Sequence, residues 1–256
     1  MTITTASLDG VDSTTIADLI ITGVRRQATP SVRDVYLDVP GRPGAWHFGE
    51  APGDRELTLG VLIGSSTLAA RRSSVRELGR WLWPGVGVDG ERELILSDEP
   101  DRYELVTLTD ALEVDELMET GEGAVTFRTA PYALDVNEDT ANLVLSPGGP
   151  SDTVTVTPSA DLANEVPFVA TITPQAAIGG FDLVVNSGTA LSYSSNVAGG
   201  ETVTVDTETL SVLHNGQAAL TATSGAFAKL APGDNIVEVI TDDTVDVAVT
   251  WRRRYV

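Results

Sequence analysis

The sequence predicts a mainly β protein in two parts, the first with a single covering helix and the second made of strands alone. Three observations carry this. Glu56-Leu57-Thr58-Leu59-Gly60-Val61-Leu62-Ile63-Gly64 alternates as a strand. Directly after it the apolar period changes: Leu68, Val75, Leu78 and Leu82 fall seven, three and four residues apart, one stripe of a helix. Beyond about Asn137 no such stripe recurs. From Thr153 the composition turns to Thr, Val, Ala, Ser and Gly in short runs separated by turn signals.

Taken in order, Leu8-Asp9-Gly10-Val11-Asp12 reads as a short strand with a turn dipeptide, and Ile16 to Val24 is rich in β-branched residues. Val32 to Val39 alternates approximately, as a half-buried strand does. Pro40-Gly41-Arg42-Pro43-Gly44-Ala45-Trp46 is expected to be a loop, because its prolines and glycines break regular structure. The helix is expected over Ser65 to Trp83, capped by Ser65, Ser66 or Thr67 and stopped by Pro84-Gly85. Arg71, Arg72, Arg76 and Arg80 fall on its other faces, and Trp81 and Trp83 flank the stripe. Glu93–Leu96 and Tyr103–Leu108 follow as strands joined by the acidic turn Ser97 to Arg102. Gly123 to Leu134 closes this part, and Leu134 to Pro158 reads as connector and first strand of the next.

In the second part, strand runs are read at Thr153–Thr157, Phe168–Thr173, Phe181–Asn186, Thr202–Asp206, Ser211–His214, Ile236–Thr241 and Thr244–Arg252. Between them lie Asn186-Ser187-Gly188, Gly199-Gly200, Asn215-Gly216 and Pro232-Gly233-Asp234-Asn235. Asn215-Gly216 is a strong hairpin signal, since a type I′ turn needs positive φ at both central residues. Many short strands at this spacing argue a β-sandwich.

Charge narrows the functional classes. The chain of 256 residues carries 16 basic and 37 acidic side chains, a formal net charge of -21, and both halves are acidic. Such a surface repels phosphate, so neither duplex reading nor an anionic membrane is an expected partner. Arg252-Arg253-Arg254 is the one basic run. Cysteine is absent, which excludes disulfides and thiolate zinc sites. Met1-Thr2-Ile3-Thr4-Thr5 lacks the basic and apolar regions of a secretory signal, and the apolar runs are too short to cross a bilayer as helices.

Catalytic constellations do not emerge. His47 and His214 lie far apart, and no Gly-x-Ser-x-Gly elbow accompanies them. Satisfied or exposed histidines are the expected roles, and no metal cluster or cofactor site is expected. Asp110 to Gly123 is dense in acids but departs from the EF-hand spacing. Gly85-Val86-Gly87 lacks the pattern of a phosphate loop. Carboxylate pairs for glycoside hydrolysis are too numerous for any one to signify. A large, acidic, β-rich chain of this kind points to a structural or interaction protein.

Several pieces, in order, resemble the distal tail proteins of long-tailed, siphovirus-type bacteriophages. They are Leu8-Asp9-Gly10-Val11; Pro43 to Gly49; Arg55 to Val61; Trp81-Leu82-Trp83-Pro84-Gly85; Leu94-Ile95-Leu96-Ser97-Asp98-Glu99-Pro100-Asp101-Arg102-Tyr103; and Val125 to Ala133. Leu183–Asn186, Val203–Asp206, Val212–Gly216, Phe227–Asn235 and Trp251–Tyr255 resemble the galectin-like or carbohydrate-module-like sandwich attached in many members.

The resemblance implies a ring-forming distal tail domain over residues 1–137, a β-sandwich with one covering helix, and a galectin-like β-sandwich over residues 138–256. It implies a non-enzymatic virion protein without cofactors, made in the cytoplasm of the bacterial host. A homohexamer ring would join the tail tube protein to the tail-tip hub and tape-measure proteins. Genomic DNA would pass through without sequence-specific binding, and no membrane insertion is implied. Candidate ring contacts are Arg72, Arg76, Arg80, Trp81 and Trp83. The alternative reading is a carbohydrate-binding or host-adhesion module, for which Tyr193 and Trp251 are the candidate sugar contacts.

Overall fold

The computed structural model describes residues 5–38, 40–41, 43–83, 90–109, 118–146, 152–156, 165–188 and 191–255, with backbone only for Val35, Phe48 and 152–156. The expected helix stop at Pro84-Gly85, Gly85-Val86-Gly87, most of the acidic window after Asp110 and the loop Pro147 to Ser151 lie outside the described residues. Two compact units divide the chain, Met1–Val136 and Asn137–Tyr255.

The strands of the first unit are β1 (Ala6–Leu8), β2 (Val11–Asp12), β3 (Leu19–Arg26), β4 (Val32–Asp38), β5 (Ala45–Pro52), β6 (Arg55–Ile63), β7 (Arg92–Leu96), β8 (Glu99–Leu108), β9 (Glu122–Thr129) and β10 (Ala133–Asp135). Helix α1 (Leu68–Leu82) lies between β6 and β7 in the chain. The main sheet runs β2-β1-β7-β8-β9-β6-β3, and β10 pairs with β8. Strict alternation on β6 turns Leu57, Leu59, Val61 and Ile63 inward, with Phe127 and Val125 opposite Leu57 and Leu59 on β9. Against these pack Val75, Leu78, Trp81 and Leu82 of α1, completing one apolar cluster.

Helix α1 is capped by Thr67, the last of the three candidate caps, two residues after the first. The hydroxyl of Thr67 accepts from the Ala70 N–H at 3.2 Å, which satisfies an orphan donor of the first turn. Leu68 begins the stripe in sequence yet is exposed, and Trp81 takes the fourth core place. At the other end Arg92 donates from Nη1 to the carbonyls of Trp81 and Leu82, at 3.1 and 2.8 Å, placing a cation on the negative end of the helix dipole. Arg71 is not on a solvated face: it donates to the Met118 carbonyl at 3.0 Å.

Three further expectations are corrected. Asp9-Gly10, at φ 50° and 77°, is a tight turn between β1 and β2 rather than the end of one strand. The loop expected to Trp46 ends earlier, since Ala45 and Trp46 already belong to β5. The half-buried strand expected over Val32 to Val39 is β4, which pairs only with β5 in a separate two-stranded sheet. Its described side chains are all exposed, and among the described residues no layer covers either face. The alternation there is real but faces solvent on both sides.

The second unit has two sheets. One is ordered β11 (Asp139–Leu145), β21 (Val245–Trp251), β13 (Phe168–Pro174), β16 (Val203–Asp206), β17 (Ser211–His214) and β18 (Gln217–Ala218). The other is ordered β12 (Asp152–Val156), β20 (Gly233–Thr241), β14 (Phe181–Val185), β15 (Leu191–Tyr193) and β19 (Thr223–Gly225). Inward residues of both sheets, among them Ile172, Val247, Leu183 and Val239, form a single cluster, which makes the unit a sandwich. Asn215-Gly216 turns β17 into β18 with φ of 47° and 76°, as its composition predicts. The segment read as connector and first strand of the second unit holds β11, paired along its length with β21.

Candidate functional site

Arg72, Arg76 and Arg80 are spaced four apart on α1, so they share its outer face. All three are exposed, and none makes an ion pair among the described residues. Trp83 follows the helix and is 63% exposed. A row of exposed guanidinium groups and an open indole are groups that can take an acidic partner and an apolar contact. A groove of about 290 Å³ adjoins it, lined by Val11, Ile16, Glu77, Arg80, Trp81 and Arg92.

Trp81 does not belong to that face. Its ring is buried in the core, and its Nε1 donates to the Val11 carbonyl at 2.8 Å, tying α1 to β2. The expected ring contact at Trp81 is therefore replaced by a structural anchor. Helical spacing alone does not separate Trp81 from Trp83, which lie two residues apart and on different sides of the helix end.

Tyr193 and Trp251 are likewise corrected. They are only 3% and 6% exposed, because both sit at inward positions of their strands. A sugar platform needs an open ring face, which neither offers. The Tyr193 hydroxyl instead shares a 3.0 Å hydrogen bond with Nδ1 of His214, whose Nε2 lies 3.1 Å from a carboxylate oxygen of Glu201. The backbone N–H of Ala198 chiefly, and His214 next, hold the Glu201 carboxyl below its usual range. His214 is thus a satisfied structural histidine.

The basic run at the C-terminus is neutralised locally. Arg252 pairs with Glu138 at 2.9 Å, Arg253 with Asp139 at 2.7 Å, and Arg254 with Glu208. No described helix is long and apolar enough to cross a membrane.

On β4–β5 the structure brings together what the sequence separates. Asp34, His47 and Glu50 place one ligand atom each within 4.8 Å of one another. On the same two strands Val32, Tyr36, Leu37 and Trp46 are exposed, and Leu37 lies opposite Trp46. The paired Leu37 and Trp46 form a second candidate contact surface.

Comparison with known proteins assigns both units. The family described as phage tail protein RIFT-related domain matches residues 13–129. The family described as siphovirus-type tail component, C-terminal domain, matches residues 163–255. The crystal structure of the SPP1 Dit (gp 19.1) protein, described as a paradigm of the hub adsorption apparatus in Gram-positive-infecting phages, is similar with a TM-score of 0.73 at 17% identity. That likeness covers 98% of this chain and 99% of the other, and it extends to the fold. The phage p2 baseplate in its activated conformation, with strontium, gives a TM-score of 0.48 at 9% identity over 98% of each chain. No curated protein sequence matches.

Proposed function

The chain belongs to the siphovirus-type phage tail proteins as a distal tail protein, and from that premise we propose that six copies close into a ring at the distal end of the tail. The observation that carries this is the order of the two family matches, one in each compact unit. In this reading the first unit builds the ring and the second, a galectin-like sandwich, projects from it as a docking surface. The ring joins the tail tube protein to the tail-tip hub, the tail-associated and tape-measure proteins, and the host-recognition proteins. It is a structural, non-catalytic part of the virion, made in the cytoplasm of the bacterial host.

A closed ring needs one patch to meet a different one on the next copy. The exposed Arg72, Arg76, Arg80 and Trp83 supply one side, and the acidic remainder of a chain with net charge -21 offers many complements. The same acidity supports a negative lumen, through which DNA passes without adhering. A basic lumen in an imaged ring would sink that part.

Light scattering of the purified chain, with negative-stain imaging of the same sample, tests the proposal. Six copies of a 26.9 kDa chain make a ring of about 161 kDa. A chain that stays monomeric even when mixed with the tail tube protein overturns it.

A further inference from the structure

The β4–β5 hairpin carries a group of ionisable side chains, Asp34, His47 and Glu50. Its register sets Asp34 directly opposite Glu50, so two carboxylates share one face of an antiparallel pair. Like charges so placed repel. Among the described residues no Arg or Lys pairs with either; His47 Nε2, at 3.5 Å from Asp34 Oδ1, is the one basic neighbour.

His47 reaches that face because of a defect in the ladder. Glu50 and His47 are three apart, and in a regular strand they would point to opposite faces. Between Val35 and Tyr36 the register shifts, so that Val35 faces Gly49 while Tyr36 faces His47. The extra residue on β5 re-aims His47 to the side of Asp34 and Glu50, the usual effect of a bulge. Gly49, at φ 147°, holds a backbone conformation that side-chain-bearing residues rarely adopt.

We propose that Asp34, His47 and Glu50 form a site for a divalent transition-metal cation of the zinc type. One imidazole and two carboxylates are a ligand set for such an ion, with open positions left for water. Two ligands on one tetrahedral zinc lie about 3.4 Å apart, given bond lengths near 2.0–2.2 Å. The His47–Asp34 separation of 3.5 Å meets this directly. The widest separation, within 4.8 Å, closes by rotation of exposed side chains. The ion would cancel the cross-strand repulsion and cross-link β4 to β5, which no packed layer among the described residues holds. An imidazole ligand selects against calcium and magnesium, which take oxygen.

The test is titration of the full chain with zinc chloride by calorimetry, alongside calcium chloride, followed by the variants His47→Ala, Glu50→Gln and His214→Ala. One saturable zinc per chain is expected, weakened at least about tenfold by His47→Ala and by Glu50→Gln. His214→Ala, which disrupts the other histidine–carboxylate pair, should leave zinc binding unchanged. The hairpin lies outside both apolar clusters, so melting curves of the hairpin variants should match the parent in metal-free buffer. Absence of saturable zinc binding overturns the proposal, as does binding that survives His47→Ala. Calcium binding at these residues with zinc inert overturns the assignment of the ion.

Discussion

Arg55 donates from Nη2 to a carboxylate oxygen of Glu104 at 2.5 Å, with their side chains 7% and 10% exposed. The pair crosses the main sheet from β6 to β8, and Arg55 Nε also donates to the Ala130 carbonyl at 3.3 Å. Desolvation acts on both charges, so the attraction offsets a large cost rather than adding a free gain. Arg55→Met leaves the carboxylate buried without its partner and should cost about 3–5 kcal/mol. Arg55→Met with Glu104→Leu removes both charges and should recover most of that loss. Urea unfolding of the four proteins measures it; a double variant no more stable than Arg55→Met would contradict the account.

Glu104 in the first unit and Glu201 in the second should contribute pH dependences of opposite sign. Burial raises the Glu104 carboxyl, against the pull of Arg55 and Arg26. Its contribution to stability is therefore complete below the unfolded-state pKa and is lost as pH rises through the folded one. Glu201 is lowered, by the Ala198 N–H first and His214 second. Its contribution is present above the unfolded-state pKa and is lost as pH falls through the folded one. Calorimetric melts across the carboxylate range should show Glu104→Gln removing a decline with rising pH in the first unit. Glu201→Gln should remove a decline with falling pH in the second. The same sign for both would refute the assignment.

Periodicity exposes the parts of this fold that face a packed layer. Leu57, Leu59, Val61 and Ile63 alternate because one face of β6 meets the core, and Val75, Leu78 and Leu82 repeat helically because α1 covers that face. Asn215-Gly216 was legible because positive φ has a compositional cost. The β4–β5 hairpin alternates as well, and nothing in its sequence says that both faces stay open. Asp34 and His47 lie on different strands, and their meeting depends on a bulge for which Gly49 within β5 is the one sequence signal. Aromatic content likewise did not say which rings are open: Trp83 is, whereas Tyr193 and Trp251 are core.

Arg76→Glu with Arg80→Glu tests the helix face as a ring contact. Neither side chain has an ion-pair partner within the described chain, so folding stability should change by less than about 0.5 kcal/mol. The mass by light scattering should fall from that of a ring to that of smaller species, and more so at low salt, where like charges are least screened. An intact ring with unchanged salt dependence would place the contact elsewhere, and the exposed Leu37 and Trp46 would be the next surface to alter.

Asn235 is a buried polar residue whose side chain is fully occupied. Its Nδ2 donates to the carbonyls of Ala231 and Gly233 at 2.8 and 2.9 Å, and its Oδ1 accepts from the Ala231 N–H and from Asn186 Nδ2, both at 2.8 Å. Asn186 in turn accepts from the Ile236 N–H at 2.8 Å, so the two amides lock the turn after β14 to the start of β20. Asn235→Leu removes the partner of the half-buried Ala231 N–H and of the Ala231 and Gly233 carbonyls. Water can reach part of these groups, so a loss of about 1–3 kcal/mol in all is expected in the second unit. Asn235→Asp keeps the acceptor but removes the two donors and buries a charge, and should be no milder at neutral pH. Trp251 lies in this unit and reports its unfolding by fluorescence. If Asn235→Leu unfolds at the parental denaturant midpoint, the network is incidental to the sandwich. A lowered midpoint with an unchanged slope would mean that the amide pair stabilises the sandwich without altering how much surface it buries.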